Sequence, residues 1–493
     1  APSSVEPAPL LFNHLSEDEL LGYGVPAEWL SDVRRATEES LLALAEHLPA
    51  EAAEALLELA IGGTPHVAPP LPQGTDPFAH PDALRRFRVM HNMEELERAL
   101  DFPWEKWTVF LHPEQEQLVR SDFNGPARVA GSAGTGKTIV ALHRAAWLAR
   151  RNPDARVLLT TFSDTLAHAL HTRLRRLLGN EPRLAERIDV QALDAVAVRL
   201  HKAHLGDVRI ASRDEVQAAI REAGAAVSGH KFGSHFLLTE WEQVVDAWQL
   251  GTWEAYRDVA RLGRKTRLPE AQRKVLWSIF ELVRATLARQ GKVTNAQVFT
   301  ALAAAIAKAT NKPFDYAVVD EAQDLTVAQL RFLAALGGGR ANALFFAGDL
   351  GQRIFQQPFS WKALGVDIRG RSRTLRVNYR TSHQIRSQAD RLLGPTLTDS
   401  DGNEEDRRHT VSVFNGPSPT IEIAGDEEAE AKVVADWIAS LSGEGLLPHE
   451  FGIFVRSDTQ LGRALAAVNR AGLTPHVLDE HVDTDSDEVS IGT

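Results

Sequence analysis

The sequence predicts an α/β fold of parallel sheets flanked by helices, and three observations carry that prediction. Apolar, strand-like runs alternate with helical stretches from Leu111 onward, a glycine-rich loop stands between a short apolar segment and a helix, and an acidic turn closes another apolar run. A chain of 493 residues is too long for one hydrophobic core and divides into roughly three or four domains. A hydrophobic fraction of 44% and a charged fraction of 24% exclude disordered, fibrous and membrane classes. There is no cysteine, so disulfides and thiolate metal sites are excluded as well. No apolar run approaches the roughly eighteen residues of a membrane span, and the expected setting is cytoplasmic, with no membrane partner. With a formal charge of −12, any binding of a phosphate backbone has to come from local basic clusters.

In chain order, Pro26 to Ala60 has helical apolar spacing, broken at Pro49. Gly62 to Pro77 reads as a linker rich in Gly and Pro, Arg86 to Met90 as a short strand, and Asn92 with Glu95 as the capping box of a helix running to Leu100. Further strands are expected at Arg156 to Thr161, Tyr316 to Val319, Leu344 to Ala347, Ile421 to Ala424 and Gly452 to Val455. Between His201 and Gln290 strand signals vanish and helical patterns with Trp241, Trp248, Trp253 and Trp277 take over, which reads as a helical insertion in the first α/β domain. The acidic stretches Asp399 to Asp406 and Asp479 to Glu488 read as solvated loops. The expected domains are 1–80 (helical extension and linker), 81–200 and 291–356 (two parts of the first α/β domain), 201–290 (insertion) and 357–493 (second α/β domain).

Chemistry concentrates in a few blocks. Gly131, Ser132, Ala133, Gly134, Thr135, Gly136, Lys137 and Thr138 match the phosphate-binding loop of P-loop NTPases. The glycines let backbone N–H groups close around phosphates at a helix N-terminus, Lys137 reaches the outer phosphates of ATP, and the Thr138 hydroxyl holds Mg2+. The run Tyr316 to Val319 ends in Asp320-Glu321-Ala322-Gln323-Asp324. A carboxylate at the carboxyl end of a buried strand is placed to be the second magnesium ligand, Asp320, and the next can polarise the attacking water, Glu321. Gly348-Asp349-Leu350-Gly351-Gln352 brings Gln352 to the outer phosphate as a sensor. Asn378-Tyr379-Arg380 offers an arginine that, delivered across a domain cleft, stabilises charge on the transferring phosphoryl group.

In this order the blocks resemble the UvrD and Rep branch of superfamily 1 helicases over roughly residues 105–493. Leu111-His-Pro-Glu-Gln115 is similar to that family's adenine-reading glutamine motif, Thr160-Thr-Phe162 to its first single-strand contact, and Asp320 to Asp324 to its DEAQD box. Gly348 through Phe355 resembles its third motif and Asn378 to Arg380 its fourth. The resemblance implies tandem RecA-like domains with a helical insertion, ATP in the cleft between them and single-stranded DNA, including a duplex junction, across their tops. Gln115 would read the adenine edge, Tyr379 would stack on its ring and Arg380 would act as the finger. Phe162 and Phe355 would stack on bases, their alternative being core packing. The cluster Arg257, Arg261, Arg264, Lys265, Arg267, Arg273 and Lys274 is read equally as a phosphate contact or a solvated helix face.

The implied activity is an ATP-dependent DNA helicase moving 3′ to 5′; the alternatives are a translocase that does not unwind and an ATP-gated DNA-binding module. Ile139 stands where relatives carry an arginine against adenine, and Gln357 where they carry a tryptophan. Val489 to Thr493 resembles the opening strand of the family's fifth motif, so the expectation is a fragment that binds Mg-ATP without DNA-stimulated turnover.

Overall fold

The computed structural model describes residues 10–65, apart from 27–28, 46–47, 49, 62 and 64, and residues 111–493, apart from 180, 260–267, 354–357, 395, 408–409 and 479–486. The expected strand at 86–90 and the helix capped by Asn92 lie outside the described residues, as does most of the expected linker. Two compact units, residues 1–417 and 418–493, make up the chain.

The first unit is built on a six-stranded sheet. Its strands are β1 (Ala127–Ala130), β2 (Val157–Thr161), β3 (Ile188–Ala192), β4 (Tyr316–Val319), β5 (Leu344–Ala347) and β6 (Ser372–Thr374), in the order β3-β2-β4-β5-β1-β6, all parallel. Alternation of side chains across a strand explains why both faces are apolar. Leu158, Ala317, Val319, Leu344 and Phe346 enter one core with the helices Leu193–Leu205, Asn295–Lys308 and Val327–Gly337. Val157, Leu159, Val318, Phe345 and Ala347 enter the other with Lys137–Arg151 and Asp164–Leu177. Strands buried on both sides read as unbroken apolar runs, the pattern of parallel sheets. Arg144, wholly buried on the helix after β1, donates to Val119 O (2.6 Å), Ser121 O (2.7 Å) and Asn342 Oδ1 (2.8 Å), tying that helix to Pro113–Arg120 and to the approach to β5.

Between β3 and β4 the helices Arg213–Ala226, Ser234–Glu240, Trp253–Asp258 and Glu270–Arg289, with a π-helical turn at Trp241–Asp246, close over their own core. Tyr256 is part of it, its hydroxyl donating to Glu240 at 3.0 Å. Among the described residues, N-terminal helices between Glu17 and Ala60 form another small core. They pack on the helix His383–Asp390: the Trp29 and His383 rings lie 4.9 Å apart, and Gln384 donates to Asp32 at 3.2 Å.

After β6 come β7 (Val377–Asn378), β8 (Thr396–Thr398), β9 (Glu404–Asp406) and β10 (Val411–Ser412). β7 pairs with β10 and β8 with β9. Two expectations change here. β6 extends the first sheet by pairing with β1 rather than opening a second domain at 357. The acidic stretch Asp399 to Asp406 is not a solvated loop: it closes the β8–β9 hairpin, with Glu405 fully buried, because Arg128 of β1 pairs with Asp399 and Arg407, just after β9, lies beside Glu405.

The second unit holds a parallel three-stranded sheet, β11 (Gly452–Phe454), β12 (Thr474–Val477) and β13 (Glu488–Gly492), ordered β11-β13-β12, with the helices Glu427–Gly443 and Leu461–Arg470. The expected strand Ile421 to Ala424 is not formed. Alternating apolar residues make a strand only when an edge is there to pair with; no described strand lies beside these residues, and Ile421 and Ile423 stay exposed. Of the acidic stretch Asp479 to Glu488, Glu488 begins β13 and residues 479–486 lie outside the described residues.

Candidate nucleotide site

The loop between β1 and the helix Lys137–Arg151 sits at the carboxyl end of the sheet, where open α/β folds place their ligands. Gly131, Gly134 and Gly136 all have positive φ, +144°, +85° and +84°. Two of them are also points of close approach. A Cβ on Gly134 would come within 2.8 Å of the Arg380 Cβ, and one on Gly136 would collide with the Gln115 amide. Only glycine satisfies both conditions.

Two distant segments brace this loop. Gln115 takes part in a capping interaction, its Oε1 accepting from His112 N (3.0 Å), while its Nε2 donates to Thr135 O (3.1 Å). Asn378 Nδ2 donates to Ala133 O (2.9 Å) and Tyr379 N to Gly134 O (2.9 Å), while Asn378 Oδ1 receives Arg380 N (2.9 Å). Arg380 is exposed beside the loop, and Tyr379 is half-buried with its ring 6.0 Å from that of His112. Burial holds the Tyr379 phenol well above its ordinary pKa, so it stays neutral. Arg380 belongs to the same compact unit as the loop it approaches.

The Lys137 ammonium is nearly buried and donates to Gly131 O (2.8 Å) and Ser132 O (3.0 Å). The Thr138 hydroxyl lies beside the Asp320 carboxylate at the end of β4. Burial, and then the charge of neighbouring Glu321, push the Asp320 carboxyl up to about 6, and a nearby cation would favour its charged form. Glu321 adopts left-handed backbone angles (φ 52°, ψ 41°), strained for a residue with a Cβ. Its carboxylate accepts from Gln323 Nε2 at 2.6 Å, and Gln323 Oε1 accepts from Asp349 N at 3.1 Å. One amide thus links the acidic turn to the block after β5. Gly348 is required there, since a Cβ would lie 2.7 Å from Gln323 Oε1. Gln352 is exposed on a 3₁₀ turn (Leu350–Gln352).

These residues fit a magnesium nucleotide. The Ser132 hydroxyl is buried in the loop with no hydrogen-bond partner among the described residues, and the Lys137 ammonium rests on carbonyls that an anion would replace. Among the described residues no three His, Asp or Glu side chains gather as a self-contained metal site, whereas the Thr138–Asp320 pair suits an ion shared with phosphate oxygens.

Phe162 is 38% exposed at the end of β2, while Phe355 and Gln357 lie outside the described residues. The described members of the basic cluster have partners within the fold. Arg257 pairs with Asp258 (2.7 Å), Arg273 donates to the carbonyls of Tyr256 and Arg257, and Lys274 lies over Trp253; Arg261, Arg264, Lys265 and Arg267 are outside the described residues. The sequence reading missed Gln323 and Asn378 as contributors. Both sit inside blocks it singled out, but nothing local to Asn378 announces a bond to residue 133.

The model of the UvrD/REP helicase N-terminal domain family matches residues 111–359. The chain is also 28% identical, over 393 residues, to proteins named ATP-dependent DNA helicase UvrD2 from Mycobacterium bovis (strain ATCC BAA-935 / AF2122/97) and from Mycobacterium tuberculosis strains CDC 1551 / Oshkosh and H37Rv. Those alignments cover 74% of this chain and 55% of each relative, so the chain spans about half the length of the curated relatives it matches.

Proposed function

The chain belongs to the UvrD/REP helicase N-terminal domain family, and from that premise we propose that it is the motor portion of an ATP-dependent DNA helicase or translocase moving 3′ to 5′ on single-stranded DNA. One observation supports this reading above the others. Gln115, the acidic turn 320–324 and the Asn378–Arg380 block, far apart in sequence, all meet the loop 131–138. In this reading the six-stranded sheet is the first RecA-like domain, the helices between Arg213 and Arg289 are its insertion, and residues 418–493 contribute to the second.

Lys137 and the backbone N–H groups of the loop bind the phosphates, Gln115 and Tyr379 hold the base, and Thr138 and Asp320 hold Mg2+. Bound there, the ion would neutralise phosphate charge and orient the outer phosphate. Glu321, fixed by Gln323, accepts a proton from the attacking water. In this reading the exposed Gln352 would sense the outer phosphate, and Arg380, exposed beside the loop, would stabilise the charge that develops there. Phe162 offers a face for base stacking that is indifferent to sequence.

The test is the rate of ATP hydrolysis by the full-length protein with and without single-stranded DNA. The rate should rise with DNA, and Lys137→Ala should abolish it in a folded protein. Hydrolysis unaffected by DNA would favour an ATP-gated binding module, and DNA-stimulated hydrolysis without strand separation at a fork would restrict the role to translocation.

A further inference from the structure

The β8–β9 hairpin takes no part in cradling phosphate, yet it carries a buried charge cluster into the first unit. Arg407, directly after β9 and nearly buried, meets carboxylates from three segments. Its Nη1 donates to Asp349 Oδ1 at 3.1 Å, its Nη2 donates to Asp390 Oδ1 at 3.1 Å, and Glu405 Oε1 lies 3.7 Å from Nη1. Asp349 is the second residue of the block that ends in Gln352, and its Oδ1 also accepts from Gly351 N (2.8 Å). Asp390 ends the helix His383–Asp390, which starts shortly after Arg380, and its other oxygen accepts from Arg386 of the same helix at 2.6 Å. Glu405 accepts from Leu350 N at 3.4 Å.

Apolar side chains of the same volume would hold three segments together about as well. What a guanidinium adds is direction, because its planar fork of donors fixes both partners' orientation.

We infer that Arg407 is a positioning residue for nucleotide turnover, locking the block that carries Gln352 to the helix that follows Arg380 so that both move as one body. This rests on the ATPase reading above. A nucleotide that draws Gln352 inward then also shifts the helix His383–Asp390, and the link is lost when the fork is lost.

The experiment follows backbone amide exchange in the full-length protein, with and without magnesium and a non-hydrolysable ATP analogue, beside steady-state hydrolysis and melting temperature. In the unmodified protein the analogue should slow exchange at 131–138, 348–353 and 383–390. In Arg407→Lys, which keeps charge but not the fork, protection should persist at 131–138 and disappear at 383–390. The kcat should fall about tenfold, within the usual range of a coupling between sites, with little change in KM. Asp390→Asn should do the same, since it weakens the same link from its other end. Undiminished protection of 383–390 in Arg407→Lys, or a kcat loss that merely tracks a falling melting temperature, overturns the role of Arg407 alone. Absence of protection at 131–138 in the unmodified protein overturns the ATPase reading and this role with it.

Discussion

Gln115 and Asn378 brace the phosphate loop through neutral amides donating to its backbone carbonyls, whereas around Asp349 the chain is held by buried charge. The first region needs glycine at 134 and 136 to let Asn378, Arg380 and Gln115 approach, and each amide contributes on its own terms. In the second region Asp349, Asp390 and Glu405 share Arg407, while Arg128 pairs with Asp399 of the same hairpin at 3.4 Å. Losing Arg407 there removes the countercharge that three carboxylates share in a low-dielectric interior. The neutral region should therefore tolerate change in proportion to the bonds removed, and the charged region should not.

The largest expected effect is on the charged side. Arg407→Ala strands buried carboxylates and should destabilise the first unit by about 3 to 5 kcal/mol, measured by chemical denaturation. A loss no greater than that of a single hydrogen bond would erase the distinction between the regions. Next comes chemistry: Glu321→Gln should keep nucleotide affinity while slowing hydrolysis about a hundredfold, and a collapse of affinity in equilibrium binding would make Glu321 a structural group instead. On the neutral side, Asn378→Ala removes bonds to Ala133 and Thr381 and should cost about 1 to 3 kcal/mol, with no change in the pH dependence of stability.

The smallest effect is a pH slope. Burial, and then the charge of Glu321, raise the Asp324 carboxyl to about 6, above its value in the unfolded chain. The folded state thus binds this proton more readily than the unfolded one, and the associated stability, full below the unfolded value, is lost as pH rises through about 6. Between pH 5 and 7 the melting temperature of the unmodified protein should fall relative to Asp324→Asn by roughly 2 °C. Parallel curves for the two proteins would show that Asp324 does not carry the slope.

Much of the neutral region was legible in the sequence. Glycines at fixed spacing before a lysine announce positive φ and a helix N-terminus, and an apolar run ending in Asp320 announces a carboxylate at a strand's carboxyl end. The charged region was not legible: the run Asp399 to Asp406 has the composition of a solvated loop, and Arg407 lies 58 residues from Asp349. Ile421 to Ala424 shows the opposite failure, a strand pattern without a partner edge.

By itself the sequence determined the strands β2, β4 and β5 of the first sheet, the phosphate loop and the position of Asp320 and Glu321 at a strand's end, because periodicity, backbone freedom and strand-end chemistry act over a few neighbouring residues. Only the tertiary structure decided that β6 joins the first sheet, that Arg380 shares a unit with the loop, and that an acidic hairpin is neutralised inside it. Those outcomes depend on which distant backbones come within hydrogen-bonding distance and on how strongly burial amplifies charge, and neither is encoded in local pattern.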